Sequence, residues 1–185
     1  MARTPSTMIP LGTPSPGFHL PDTVGGKELS WDEVKGPKGT LVAFICNHCP
    51  FVKHVNPELV RMANEFRQKG IHVVAISSND AIQYPDDGPG PMHENAKALG
   101  YTFPYLYDES QDVAKDFDAA CTPDFFLFDG DEKLAYRGQL DASRPGNDVP
   151  LTGKDMRNAM TALVEGLPVE EMQYPSIGCN IKWRS

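Results

Sequence analysis

Apolar positions along the middle of the chain fall into two unbroken runs separated by a helical stretch. Leu41-Val42-Ala43-Phe44-Ile45 has no polar alternation, which predicts a strand buried on both faces over about 40–46. Phe51, Val52, Val55, Leu59, Met62, Ala63 and Phe66 then recur at helical spacing and predict a helix reaching about Gly70. Pro57 falls inside that pattern, so a kink or a restart is expected there. Ile71-His72-Val73-Val74-Ala75-Ile76 is a second β-branched run, completing a βαβ unit whose crossover should be right-handed.

The flanking segments are more broken. Residues 1–38 are rich in Pro and Gly and read as an N-terminal extension or hairpin, with apolar patches at Phe18-His19-Leu20-Pro21 and Glu28-Leu29-Ser30-Trp31. Residues 80–91 carry too many turn formers for regular structure and read as a solvated loop. Short helices are expected at about 92–99 and 109–118, around Phe103-Pro104-Tyr105-Leu106. Asp124-Phe125-Phe126-Leu127-Phe128, the turn 129–132 and Lys133-Leu134-Ala135-Tyr136-Arg137-Gly138 read as an antiparallel hairpin. An amphipathic helix is expected over about 152–166, and residues 168–185 read as an irregular tail.

At 185 residues the chain is expected to form a single domain, 1–185, burying roughly 70% of its unfolded surface. A disulfide framework is therefore not needed for stability. The formal charge of -8 argues against nucleic acid and anionic membrane partners. No stretch approaches the roughly 20 apolar residues of a membrane span, and the first residues lack a signal-peptide core. A cytoplasmic location is expected, where the four cysteines would be reactive, buried or metal-bound rather than permanently bridged.

The chemistry concentrates at Cys46-Asn47-His48-Cys49, at the turn from the central strand into the helix. Two cysteines at this spacing can close and reopen a small disulfide ring, pointing to thiol–disulfide exchange. A free thiol near pKa 8.5 is only ~3% ionised at pH 7, and a helix N-terminus favours the reactive thiolate. His48 can add positive charge, so Cys46 is expected to be the acidic thiol. Inert packing and zinc ligation are the alternatives; a zinc site usually needs four ligands, often as two such pairs.

The order β, βαβ, ββ hairpin and closing helix, with this cysteine pair, resembles the thioredoxin superfamily. The opening Pro16-Gly17-Phe18-His19-Leu20-Pro21-Asp22 and the tail Ser176-Ile177-Gly178-Cys179-Asn180-Ile181-Lys182-Trp183 are similar to those of peroxiredoxin-like proteins of the alkyl hydroperoxide reductase/thiol-specific antioxidant group. The resemblance implies an α/β thioredoxin-like fold, a central mixed sheet flanked by helices. It implies catalytic roles for Cys46 and Cys49, with His48 tuning their acidity. Cys46 would form a mixed disulfide that Cys49 resolves. Thr122-Pro123 stands where thioredoxins carry a residue followed by a cis-proline, so it would position the extended chain of a substrate. By itself, Thr-Pro would read only as a strand entry. Implied partners are protein or small-molecule thiols and disulfides, with a thioredoxin- or glutathione-type reductant and no cofactor.

The chain also departs from the pattern. Ile45 stands where thioredoxin has Trp, and Thr40 where it buries a carboxylate, which leaves no general base assigned. A peroxidase would need a Thr or Ser three residues before its cysteine and a nearby Arg; Ala43 precedes Cys46 instead, and Arg137 lies far along the hairpin. A soft-metal site built from Cys46, His48 and Cys49 is a third reading. Cys121 and Cys179 are auxiliary thiol candidates, each with a bland alternative: a small buried hydrophobe for Cys121, a tail packed on the core for Cys179. His72 reads as structural and His54 as exposed.

Overall fold

The computed structural model describes residues 3–185. Its centre is a five-stranded mixed sheet. Strand β4 (Gly39–Phe44) lies in the middle, parallel to β5 (Ile71–Ser77), which is parallel in turn to β6 (Tyr105–Tyr107). On its other side β4 pairs antiparallel with β8 (Asp124–Asp129), and β8 with β9 (Leu134–Gly138). The expected mixed sheet flanked by helices is therefore present. Before it come β1 (Arg3–Pro5) and the hairpin of β2 (His19–Pro21) with β3 (Glu28–Ser30), then the short α1 (Trp31–Val34).

Strand β4 explains why its run lacks polar alternation. Leu41 and Ala43 face the core under α2 (Pro50–Arg67), where Leu59, Met62 and Phe66 are buried. Val42 and Phe44 face the opposite core, with Trp31, Phe117, Phe126 and Phe128. Phe44 meets Phe117 and Phe126 edge-on at 5.4 and 5.8 Å. Each such pair adds about 0.5–1.5 kcal/mol beyond its buried area.

Helix α2 runs through Pro57 rather than restarting. The missing N–H leaves the carbonyl four residues back, that of Lys53, without its bond, and Lys53 lies exposed where water can serve. The remaining helices are α3 (Pro89–Leu99), α4 (Asp112–Asp116) and α5 (Lys154–Glu165).

Two expectations need correction. Residues 168–185 are not wholly irregular: β10 (Ile177–Asn180) forms the centre of a second sheet, between β1 and the two-residue β7 (Cys121–Thr122). Four residues including a glycine give too short an alternation to read as a strand, and their partners lie more than fifty residues away. The segment 80–91 is not simply a solvated loop either. It contains a 3₁₀ turn (Pro85–Asp87) and the start of α3, and Asp87 is fully buried.

Candidate active site

The site forms where β4 ends, β7 begins and β10 closes over both. Cys46 follows β4, and Cys49 is the N-cap of α2, with Pro50 behind it at a position that needs no N–H. Both thiols are buried, at 1% and 0% exposure. Their shared neighbour is Thr122: Cys46 Sγ lies 3.4 Å from its hydroxyl, and the Cys49 thiol donates to its carbonyl at 3.2 Å. The Thr122-Pro123 peptide is cis. The structure thus brings Cys46, Cys49, Thr122 and Pro123 together.

It also brings in Cys179, whose Sγ lies 2.9 Å from that of Cys49, across 130 residues of sequence. Cys179 pairs in register with Thr122, and Ser176 Oγ donates to the Pro123 carbonyl at 2.7 Å. The backbone beside the cis-proline, expected to stand open for a substrate chain, is therefore covered by the protein's own β10. Cys121 is different: buried beneath this layer, its thiol faces the Pro123 carbonyl at 3.5 Å. Burial first, then the Asp124 carboxylate, push the Cys121 thiol well above its ordinary value, in keeping with a small hydrophobe.

The turn between the cysteines is tied to the acidic segment. Asp87 accepts the Asn47 N–H at 2.8 Å and the Asn79 side-chain amide at 2.8 Å, and pairs with His48 Nδ1 at 2.6 Å. Asn47 in turn donates to the Asp86 carbonyl and accepts from Asn95 and Tyr105. The His48 ring stacks on Tyr84 at 5.5 Å. Asp87 is the functional residue missed in sequence. Its surroundings of Pro, Gly and Asp read as a turn, and only the buried pairing with His48 distinguishes it from Asp86.

These neighbours set the thiol acidities and couple the two thiols to each other. The Cys46 thiol, donating to Cys49, favours the Cys49 thiolate most. The Cys179 thiol and the backbone amides of Val52 and Cys179 add to this, and together they outweigh burial to bring Cys49 down to about 4. Cys46 moves the other way. Its bond to Cys49 holds its proton, burial disfavours its charge, and the Asp87 carboxylate repels a second negative charge. The two thiols titrate as a pair, one proton readily lost and the other firmly held.

Other expected candidates lie outside this constellation. Thr40 is buried and accepts the Gly36 N–H at 2.9 Å, a structural role. Arg137 is held by the Ile9 carbonyl and by Gln173. His72 bonds the Val34 carbonyl, as a structural histidine would. His54 is half-buried rather than exposed, sharing a 2.7 Å hydrogen bond with the Ser143 hydroxyl. Among the described residues, ligating atoms of Cys46, His48 and Asp87 fall within 4.8 Å of one another, a mixed soft and hard donor set. No helix among them is long and apolar enough to cross a membrane.

Residues 11–137 match the AhpC/TSA family. Over 123 residues, 66% of this chain, the sequence is 26% identical to the thiol-disulfide oxidoreductase ResA of Bacillus subtilis (strain 168); the match spans 64% of that relative's length. A crystal structure of an uncharacterized conserved protein from Geobacillus kaustophilus is 56% identical, covering 100% of this chain and 97% of that one, at a TM-score of 0.98. A hypothetical protein from Sinorhizobium meliloti 1021 is 48% identical, covering 98% and 99%, at 0.96. More distant thioredoxin-like structures, below 25% identity, share the fold alone.

Proposed function

The chain belongs to the AhpC/TSA family, and on that premise we propose that it is a thiol–disulfide oxidoreductase working through Cys46 and Cys49. The observation that carries the reading is the convergence of both thiols on Thr122, the residue before the cis-proline. Substrates are protein or small-molecule disulfides, recycled by a thioredoxin- or glutathione-type reductant in a cytoplasmic setting.

In the reduced protein Cys46 and Cys49 hold one proton and one charge between them, and Cys46 attacks as the thiolate when the proton sits on Cys49. Attack by Cys46 on a substrate disulfide breaks the substrate S–S bond and forms a mixed disulfide. The Cys49 proton passes to the departing sulfur. Cys49, already anionic, then attacks the Cys46 sulfur, closing the intramolecular disulfide and releasing the second substrate thiolate. One substrate disulfide is reduced and one dithiol oxidised.

A glutathione redox titration of the metal-free protein, with mapping of the paired cysteines, tests this reading. A reversible Cys46–Cys49 disulfide supports it. A potential above about −270 mV, the thioredoxin value, would make the pair the more oxidising of the two. If Cys46 never enters a disulfide, the reading fails. The three converging ligand atoms of Cys46, His48 and Asp87 favour one other reading, soft-metal binding. Zinc or copper(I) that protects Cys46 from alkylation at stoichiometric concentration would support it. The peroxidase reading gains no comparable support, since Arg137 is engaged elsewhere.

A further inference from the structure

The strand over the cis-proline suggests a third reacting thiol. Extended chain beside Thr122 is where a substrate was expected to pair, and β10 occupies that place antiparallel, with Cys179 opposite Thr122. Its fit is specific. Gly178 approaches so closely that a Cβ there would meet the Thr122 carbonyl oxygen at 2.1 Å and the Pro123 nitrogen at 3.1 Å. Ser176 fixes the strand to the Pro123 carbonyl, and Asn79 joins the following Lys182 N–H to Asp87. The strand thus presents its cysteine to Cys49, with the two sulfurs 2.9 Å apart.

We infer that Cys179 accepts the disulfide from the Cys46–Cys49 pair, forming a Cys49–Cys179 bond and returning Cys46 to the thiol. This rests on the oxidoreductase reading for its source of oxidising equivalents. The Cys179 sulfur attacks the Cys49 sulfur, the Cys46–Cys49 bond breaks, and Cys46 leaves as a thiolate. The proton given up by Cys179 is taken by Cys46. One disulfide replaces another, so no further oxidant or reductant enters. Cys49 is the pivot, and the two alternative bonds differ in which sulfur is left reduced.

Burial, and then the Cys49 thiolate beside it, push the Cys179 thiol up to about 12 in the reduced protein. Oxidation of Cys49 removes that charge and leaves burial as the main obstacle. Exchange is intramolecular, so proximity offsets a small thiolate fraction.

Tryptic digestion separates the alternatives. Cys46 and Cys49 share the peptide 39–53, Cys121 lies in 116–133 and Cys179 in 158–182. The full chain is oxidised with glutathione disulfide, quenched in acid, alkylated under denaturing conditions and digested without reductant. The expected result is an internal loop within 39–53 together with a cross-link from Cys49 to 158–182. With the oxidant removed, the internal loop should pass into that cross-link without further oxidant, Cys46 becoming alkylated and Cys121 staying so.

A wild-type protein that forms the loop yet, with the oxidant removed, never yields the Cys49–Cys179 cross-link overturns the inference. So does a cross-link that fragmentation assigns to Cys46 instead of Cys49. A cross-link that forms in Cys46→Ser as fast as in the wild type also overturns it, since that variant lacks the donor pair. A wild type that forms the cross-link and never the internal loop would refute the Cys46–Cys49 mechanism instead, so the two failures are distinguishable.

Discussion

Gly178 and Thr122 lie in backbone contact that leaves no room for a side chain: a Cβ on Gly178 would come within 2.1 Å of the Thr122 carbonyl oxygen. The obstacle is backbone rather than the movable end of a side chain, and the same carbonyl accepts from the Cys49 thiol. Sequence, strand pairing and thiol placement therefore meet at one glycine.

Gly178→Ala should lift β10 from the cis-proline segment and cost about 1–3 kcal/mol in stability, the usual range for overpacking. The sharper readout is chemical. In the oxidised protein the fraction of Cys49 cross-linked to Cys179 should fall, while the Cys46–Cys49 fraction rises. Unchanged disulfide fractions would show that the close approach does not position Cys179.

The reduced protein should carry one thiolate at neutral pH. Far-ultraviolet thiolate absorbance is expected to titrate in near pH 4 and to disappear in Cys49→Ser, while Cys46→Ser retains an anion with a higher apparent pKa, because the donating Cys46 thiol is lost. The sign for stability follows. The folded-state pKa of Cys49 lies below that of the unfolded thiol, so its contribution is fully present above the ordinary thiol range and is lost as pH falls toward 4. A protein with no thiolate signal until the ordinary thiol range would contradict this assignment.

Asp87→Asn removes the negative charge facing Cys46. Alkylation of Cys46 by iodoacetamide, followed peptide by peptide, should then rise at lower pH than in the wild type, because the carboxylate helps hold that thiol's pKa up. Loss of the buried pairing with His48 should cost about 1–3 kcal/mol. Turnover of a disulfide substrate should fall and its pH profile should change shape, which a purely structural Asp87 would not do.

Asp124 offers a separate pH test. Burial raises its carboxyl to about 6, one of its oxygens has no hydrogen-bond partner among the described residues, and the other accepts the Ala120 N–H. A raised folded-state pKa means stability present below the unfolded value, near 4, and lost as pH rises toward 6. Asp124→Asn should therefore be more stable than the wild type at pH 7 by about 1–3 kcal/mol, an advantage that shrinks toward pH 4. Chemical denaturation at the two pH values measures it. Equal stability differences at both would count against burial as the cause.

Legibility in the sequence followed locality. Leu41–Ile45 and Ile71–Ile76 announced the central strands because both faces of each are buried, and Cys46 and Cys49 announced chemistry through spacing alone. Asp87 could not be told from Asp86, since both sit in one turn and only long-range packing selects which is buried. Cys179 lay in a segment whose strand character depends on partners at Thr122 and Arg3. The coupling of the two thiols was equally hidden, being set by the donors that α2 and β10 place around them.

The placement of β10 also gives the protein a history. It follows β4, α2 and the cis-proline segment in chain order, so during synthesis those segments leave the ribosome before the strand that covers them. Over that interval Cys46 and Cys49 face the surrounding thiol pool without their cover. The strand made later is the one that withdraws them from it.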